Sequence, residues 1–350
     1  MKTKENPKYI VSAYARDTIR KIGNAIYDSP CCKYSSEDIA TSIFAACLNG
    51  MSIEAMSKSP IGDTVFWRIK KETNLAGIRD LIGLQMPPKG SHLTILIDGH
   101  DSMYYGRKTN GVVGTKSKNG SHRAFKYLAA YTTSNPHSIV DVMPLFDGST
   151  SEPALSMIYG LSRDYTIDTV IMDGEFYNAE LIDWLSSHKI PFICRRTNTG
   201  NIRELGVSYN EPFLYETVVK RGNGTTINLR YWLYRYKGKD GDYYLASSVK
   251  TTPNALKKMY KTRWNIETGF REINVVKAKT ASPDIFVRLF LYVVSCLIYN
   301  LWMKVRFRFP LFVIRMYDFV DHILGFLKGI LLHSADIGNN LRGRVVILRL

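Results

Sequence analysis

The sequence is short of cysteine, of acidic residues and of long apolar runs, and each shortage narrows what the chain can be. Its 350 residues include only five cysteines: Cys31, Cys32, Cys47, Cys194 and Cys296, with no Cys-x2-Cys unit. An odd number without paired spacing points away from a disulfide framework or a structural zinc site and fits a reducing compartment. Asp and Glu total 31 against 47 Lys and Arg, giving a net charge of +16 and a pI near 9.5. Such an excess suits a polyanionic partner, most simply nucleic acid, with an anionic membrane surface as the competitor. One run looks membrane-like, Leu289 to Met303 (LFLYVVSCLIYNLWM), bounded by Arg288 and Lys304. It is shorter than the roughly 20 residues of a membrane span and is expected to be a buried core helix. The N-terminal MKTKENPKYI lacks the apolar stretch of a secretion signal, so a cytoplasmic location without a membrane is expected. What the chain does have is a 45% hydrophobic fraction, ample for one large or two ordinary domains.

Residues 1–90 show no strand-like alternation and read as helical. Ser35 with Asp38 forms a capping-box pattern ahead of SEDIATSIFAACLNG, and Gly50 is placed to close that helix. A short helix, SIEAMSK, then leads through Ser59, Pro60, Ile61 and Gly62 to Asp63, an N-cap for TVFWRIKKE. Helix, tight turn and basic helix is the outline of a helix-turn-helix, which would present Thr64, Arg68, Lys70 and Lys71 to DNA. A plain solvated face explains the same residues. Met86 to Gly90 cannot continue a helix and read as a linker.

Two segments share one design. In SHLTILIDGHDSMYYG the apolar run Leu93 to Ile97 reads as a buried strand with Asp98 at its C-terminal end before Gly99. In TIDTVIMDGEFYNAELIDWLSSHKIPFICRR the strand Thr169 to Met172 is followed by Asp173 and Gly174, a helix Asn178 to Ser187 and a strand Pro191 to Cys194. A carboxylate at the end of a buried strand, beside a residue that permits close approach, is a common way to present an acid to a metal. A turn-forming Asp or a helix N-terminal acid is the plainer alternative, and Asp101 competes with Asp98 within the first motif.

Between them, RKTNGVVGTKSKNGSHR (107–123) reads as a mobile basic loop suited to phosphates. Strands are expected at Phe125 to Thr132 and Ile139 to Leu145, turned by Asn135 and Pro136, with a helix from Ser151 to about Arg163. Strands, helix, strand, helix and strand with acids at strand ends are the outline of an RNase H-like α/β domain, a mixed sheet flanked by helices. Residues 196–252 alternate apolar and polar and read as a β-rich insertion, turned at Arg221 to Gly224 and Lys239 to Gly241. Its Tyr231, Trp232, Tyr234 and Arg235 could clamp DNA or form a sheet's core, and core is preferred.

The stretch that organises the rest is KKMYKTRWNIETGFREINVVKAK, Lys257 to Lys279. At about 100° per residue, Tyr260, Arg263, Glu267, Arg271 and Asn274 share one stripe of a single helix and Met259, Ile266, Phe270 and Ile273 the neighbouring one. A solvated salt-bridge face is the ordinary reading of such a stripe. Tyr260, Arg263 and Glu267 nevertheless resemble the Tyr-x2-Arg-x3-Glu-x6-Lys motif of DDE transposases of bacterial and archaeal insertion sequences, and Ile97 to Asp101 with Tyr104, Tyr105 and Gly106 resembles their first acidic motif. Asn274 stands where that motif has Lys; the nearest lysines are Lys277 and Lys279.

The resemblance implies a catalytic domain over 91–310, a helical N-terminal region over 1–90 and a basic helical tail over 311–350. It implies that Asp98, Asp173 and Glu267 hold two Mg²⁺ ions, with Mn²⁺ as a substitute, and that water and then a 3′-OH attack DNA phosphodiesters. Tyr260, Arg263, Arg271, Lys277 and Lys279 would contact phosphate, Arg through its bidentate fork. The partners implied are double-stranded DNA, both terminal inverted repeats and target, and a second copy of the chain in a dimer on DNA, in a prokaryotic cytoplasm at the nucleoid. A metal-dependent nuclease without strand transfer, or a DNA-binding relative with a dead site, are the rival readings.

Overall fold

The computed structural model describes residues 7–28, 34–56, 65, 67–69, 75–83, 85–197, 199–220, 224–239, 241–309 and 315–337. Cys31, Cys32, Lys70, Lys71 and the helix-turn-helix turn at 59–64 lie outside them, as do the turn at 221–223 and the tail beyond 337.

One long strand sets the architecture. β1 (His92–Met103) carries the apolar run, but it does not end at Asp98: it continues to Met103 because β3 (Ser121–Thr132) pairs with it antiparallel from Ile95↔Thr132 to Met103↔Ala124. On its other edge β1 pairs parallel with β5 (Thr166–Met172), and that ladder stops at Ile97↔Met172. β5 pairs in turn with β6 (Phe192–Arg196), parallel, up to Met172↔Cys194. Asp98, Asp173 and Arg195 are therefore the next residues on three adjacent strands, and they emerge side by side.

The far edge of β3 is shared by β2 (Val113–Lys118) and β4 (Ser138–Leu145). The expected loop at 107–123 is thus largely a hairpin. Asn119 and Gly120 both take positive φ, 51° and 79°, the pairing that a two-residue turn between right-twisted strands requires.

The expected β insertion does not stand apart either. β7 (Phe213–Lys220), β8 (Thr226–Gly238) and β9 (Gly241–Ser247) form a meander, and β9 pairs antiparallel with β6, so the three extend the central sheet. The sheet runs β2-β3-β1-β5-β6-β9-β8-β7, with β4 on β3. Tyr231 and Tyr234 are buried, and Arg235 is committed to Asp242 (Nη2–Oδ2 2.6 Å), so these residues serve the sheet.

Both faces are covered, which is why β1 reads as continuously apolar. Leu93, Ile95 and Ile97 point to one core with helices α5 (Ser151–Ser162) and α6 (Ala179–Ser187). Leu96, between them, points to the other, as the period of two dictates. That second core is built on the apolar helix α10 (Ile285–Arg308), whose Asp284 caps the N–H groups of Phe286 and Val287. It is buried as expected, and Asn300 ties it to β4 by accepting from and donating to the Ile139 backbone, 2.8 Å each.

The N-terminal helices α1 (Pro7–Asn24), α2 (Ser36–Leu48) and α4 (Leu75–Gly83), with the short α3 (Ile53–Met56), join this second core, as does α11 (Met316–Ile337) through Phe319, Ile323 and Leu327. The capping box of Ser35 and Asp38 is present. Arg79 of α4 grips the buried Asp141 of β4 through two nitrogens. Burying each large apolar side chain contributes about 1.5–3 kcal/mol, so the helices from both ends of the chain are integral to this core.

Candidate active site

The expected single helix over 257–279 is two, α8 (Pro253–Lys261) and α9 (Trp264–Val275), broken at Thr262 and Arg263. α8 opens on Thr252, whose hydroxyl accepts from the Ala255 N–H. Arg263 reaches the place where the β1–β5 ladder stops, and its side chain is only 11% exposed.

There it meets all three expected acids. Nη1 donates to Asp98 Oδ2 at 2.9 Å and lies 3.9 Å from Asp173 Oδ2, while Nη2 lies 2.8 Å from Glu267 Oε1. Nε is buried with no partner. Tyr260, one turn earlier, donates its hydroxyl to Asp173 Oδ1 at 3.4 Å. The sequence placed Tyr260, Arg263 and Glu267 on one stripe; what faces that stripe is Asp98, midway along β1, and Asp173, just past β5.

The glycine after each Asp has a local reason. Gly99 and Gly174 donate their N–H groups to the preceding carboxylates, 2.9 and 2.7 Å. A Cβ on Gly99 would stand 3.2 Å from Glu175 Oε1, and one on Gly174 3.3 Å from the Arg195 carbonyl. Asp98 and Asp101 also separate here. Asp101 accepts from Thr115 Oγ1 at 2.6 Å and lies 3.7 Å from Lys126 Nζ, so it belongs to the hairpin side and not to the Arg263 cluster.

Burial pushes the Asp98 carboxyl up to about 6, with Asp173 and Glu175 adding to the rise against the pull of Arg263 and the Gly99 N–H. Burial also raises Glu175, beside Asp173 and Asp101. Glu175 was not singled out from sequence; its signal was the Asp-Gly-Glu string, which repeats a carboxylate across the turn. For Arg263 burial works against the charge, but Asp173, Tyr260, Asp98 and Glu267 outweigh it and raise the pKa. Tyr260 is raised by burial and by Asp173.

The other sequence candidates scatter. Arg271 and Asn274 are exposed on α9, and Lys279 is exposed beyond it; Arg271 donates to Thr268 Oγ1 at 3.1 Å. Lys277 turns inward instead, donating to Ser102 Oγ at 2.8 Å on the floor of a cavity of about 870 Å³. Burial, with Arg288 nearby, lowers its pKa to about 8. Arg68 is not on a DNA-facing surface: it is fully buried and donates to the Tyr27 and Tyr34 carbonyls, 2.6 Å each, and to Asp28, 2.9 Å. On the opposite side of Asp173, Arg195 and Arg196 line a cleft of about 310 Å³ with Glu175, Asp242 and Tyr243.

All donors around Arg263 are carboxylate oxygens, the set a hard divalent cation prefers. In this arrangement they meet at the guanidinium: among the described residues no three His, Cys, Asp or Glu side chains are placed to hold one metal ion.

Comparison with known proteins agrees with this architecture. Residues 89–301 match the family model described as a transposase DDE domain. Among solved structures, a piggyBac transposase synaptic complex with hairpin DNA is similar at a TM-score of 0.61 and 14% identity, covering 96% of this chain and 83% of that one. The fold is RNase H-like. No curated protein sequence matches the chain.

Proposed function

The chain belongs to the transposase DDE-domain family, and from that premise we propose that it cuts and joins DNA at the ends of an insertion sequence of the bacterial and archaeal type. The observation that carries this reading is the convergence of Asp98, Asp173 and Glu267, from two adjacent strands and a helix far apart in sequence, on one point. The similar piggyBac structure is a transposase held on hairpin DNA, and the net charge of +16 suits such a partner here. The substrate proposed is double-stranded DNA, the terminal inverted repeats first and target DNA second, engaged by two copies of the chain.

Asp98, Asp173 and Glu267 are the residues that would hold the divalent cation, Mg²⁺ with Mn²⁺ as substitute. Bound there, the cation supplies an activated oxygen nucleophile and charge stabilisation for the leaving oxygen. The chain's own contribution is placement. β1 and β5 fix the two aspartates just past the last pair of their parallel ladder, and α9 brings Glu267 down upon them. The Gly99 and Gly174 amides hold one oxygen of each aspartate and leave the other facing the cluster. Tyr260 steadies Asp173, and Arg271 and Lys279, both exposed, would meet backbone phosphates.

The test is cleavage and strand transfer on DNA carrying the element's own ends, with Asp98→Asn, Asp173→Asn and Glu267→Gln. Several kcal/mol of charge stabilisation goes with the cation, so each variant is expected to lose about 1,000-fold or more of Mg²⁺-dependent cleavage while still retarding DNA in a gel. Cleavage at the wild-type rate in any of the three would remove that residue from the site. Cleavage by the wild type with no joined product would mark a nuclease instead.

A further inference from the structure

The acid cluster already contains a cation, and the chain supplies it. Arg263 is held by one oxygen of Asp98 and one of Glu267 and stands 3.9 Å from Asp173. A divalent ion that is to bind these carboxylates must take the oxygens the guanidinium now uses, and two like charges cannot share them. Three features make Arg263 exchangeable. It stands at the junction of α8 and α9, where Thr262 and Arg263 keep helical dihedrals but the regular helix is interrupted. Its Nε, though buried, donates to nothing, so an acceptor with two oxygens could engage a guanidinium edge the acids leave unspent. The junction is flanked by exposed Lys258, Lys261 and Trp264, a cationic rim with an aromatic at which a DNA backbone would arrive. A phosphate is the bidentate acceptor a guanidinium fork fits best.

We propose that Arg263 is the resident counter-cation of the acid site, and that a DNA phosphate opens the site to divalent metal by drawing Arg263 away. Metal and DNA then bind cooperatively through one side chain, and by linkage each tightens the other by the same factor. The enzyme is thereby kept from holding a loaded metal site until DNA is seated. The inference rests on the reading of Asp98, Asp173 and Glu267 as the metal-holding acids.

The experiment is Mn²⁺ binding to the full chain, followed by the spin-resonance signal of free Mn²⁺, with and without a short blunt DNA duplex. The same titration of Asp173→Asn with duplex is the blank for Mn²⁺ held by DNA. Saturating duplex is expected to tighten Mn²⁺ binding to wild type by about 10-fold or more, within the usual range of coupling between sites. Arg263→Gln is expected to bind Mn²⁺ without DNA about 10-fold more tightly than wild type and to lose most of the duplex effect. Arg263→Lys keeps a cation and should keep the coupling. Equal wild-type affinity with and without duplex overturns the proposal, whatever the variants do. So does a folded Arg263→Gln, checked by thermal melting, that binds Mn²⁺ no better than wild type. If Arg263→Gln fails to fold, the wild-type and Arg263→Lys titrations decide. Mn²⁺ binding that survives Asp173→Asn unchanged sinks the acid-site reading itself. Binding lost in Asp173→Asn but indifferent to duplex in wild type sinks only the coupling.

Discussion

Arg68, in the N-terminal helices, and Arg263, in the acid cluster, carry the same group into two interiors. Arg68 spends Nε, Nη1 and Nη2 on two backbone carbonyls and Asp28. Arg263 faces three carboxylates with an unpartnered Nε. The first cation is matched to its surroundings and locks Tyr27, Asp28 and Tyr34 together. The second is outnumbered by acids, so its neighbourhood remains a sink for positive charge. A buried arginine is thus a strut or a placeholder depending on what surrounds it.

The sharpest break of that contrast would come from Arg68. Arg68→Met leaves the Tyr27 and Tyr34 carbonyls without their donors, and removing one side of a buried charged network typically costs about 3–5 kcal/mol. Urea unfolding should show this loss, and added Mg²⁺ should not restore it. A loss below about 1 kcal/mol would mean that Arg68 is no strut. Arg263→Gln should cost less, about 1–3 kcal/mol, because Asp98, already pushed up to about 6, can take a proton instead. Millimolar Mg²⁺ should recover most of that loss in a thermal melt; no recovery would return Arg263 to the class of Arg68.

A third cation sharpens the comparison through pH. Lys277 has a hydroxyl partner and no carboxylate, and burial lowers it to about 8. An unfolded lysine keeps its proton to about pH 10.4. Between those values the unfolded chain binds more protons, so stability rises with pH; the cost is present in full below about 8 and gone above about 10.4. Wild type should gain on the order of 3 kcal/mol across that window relative to Lys277→Met. Parallel pH curves would show that Lys277 is not a buried charge. The smallest effect is expected at exposed Asn274, where Asn274→Lys should shift stability by no more than about 0.5 kcal/mol. A larger loss would place Asn274 in packing that the end of α9 does not show.

Much of this was legible in the sequence because it is local. The strands around Asp98 and Asp173, the capping box at Ser35 and the burial of α10 follow from period, cap chemistry and length. The Asn119-Gly120 turn was legible too, yet the polar residues flanking it disguised a hairpin as a loop. What could not be read is pairing at a distance. Arg263 meets Asp98 across 165 residues, and nothing near Thr262 marks where the helix is interrupted. Arg68 looked like part of a basic face because helical periodicity says where a side chain leaves the helix, not which carbonyls wait for it. β7 to β9 were read correctly as strands, but their union with β6 depends on an open sheet edge that only the assembled domain possesses.

The shared core of α2 and α10 has a consequence for synthesis. Cys47 of α2 packs on Leu291 of α10 from 244 residues away, so at about 5–20 residues per second the ribosome needs roughly 10–50 s to deliver the partner of a helix it has already made. Until then the early helices have one another and the sheet but not the helix at the centre of their core, and Glu267 has emerged without the helix that backs α9. A prematurely terminated product ending before α10 would carry all three acids and the core on one face of the sheet, but not the core that backs α9. A single late stretch of hydrophobic chain therefore decides when the second core, and Glu267 with it, can settle.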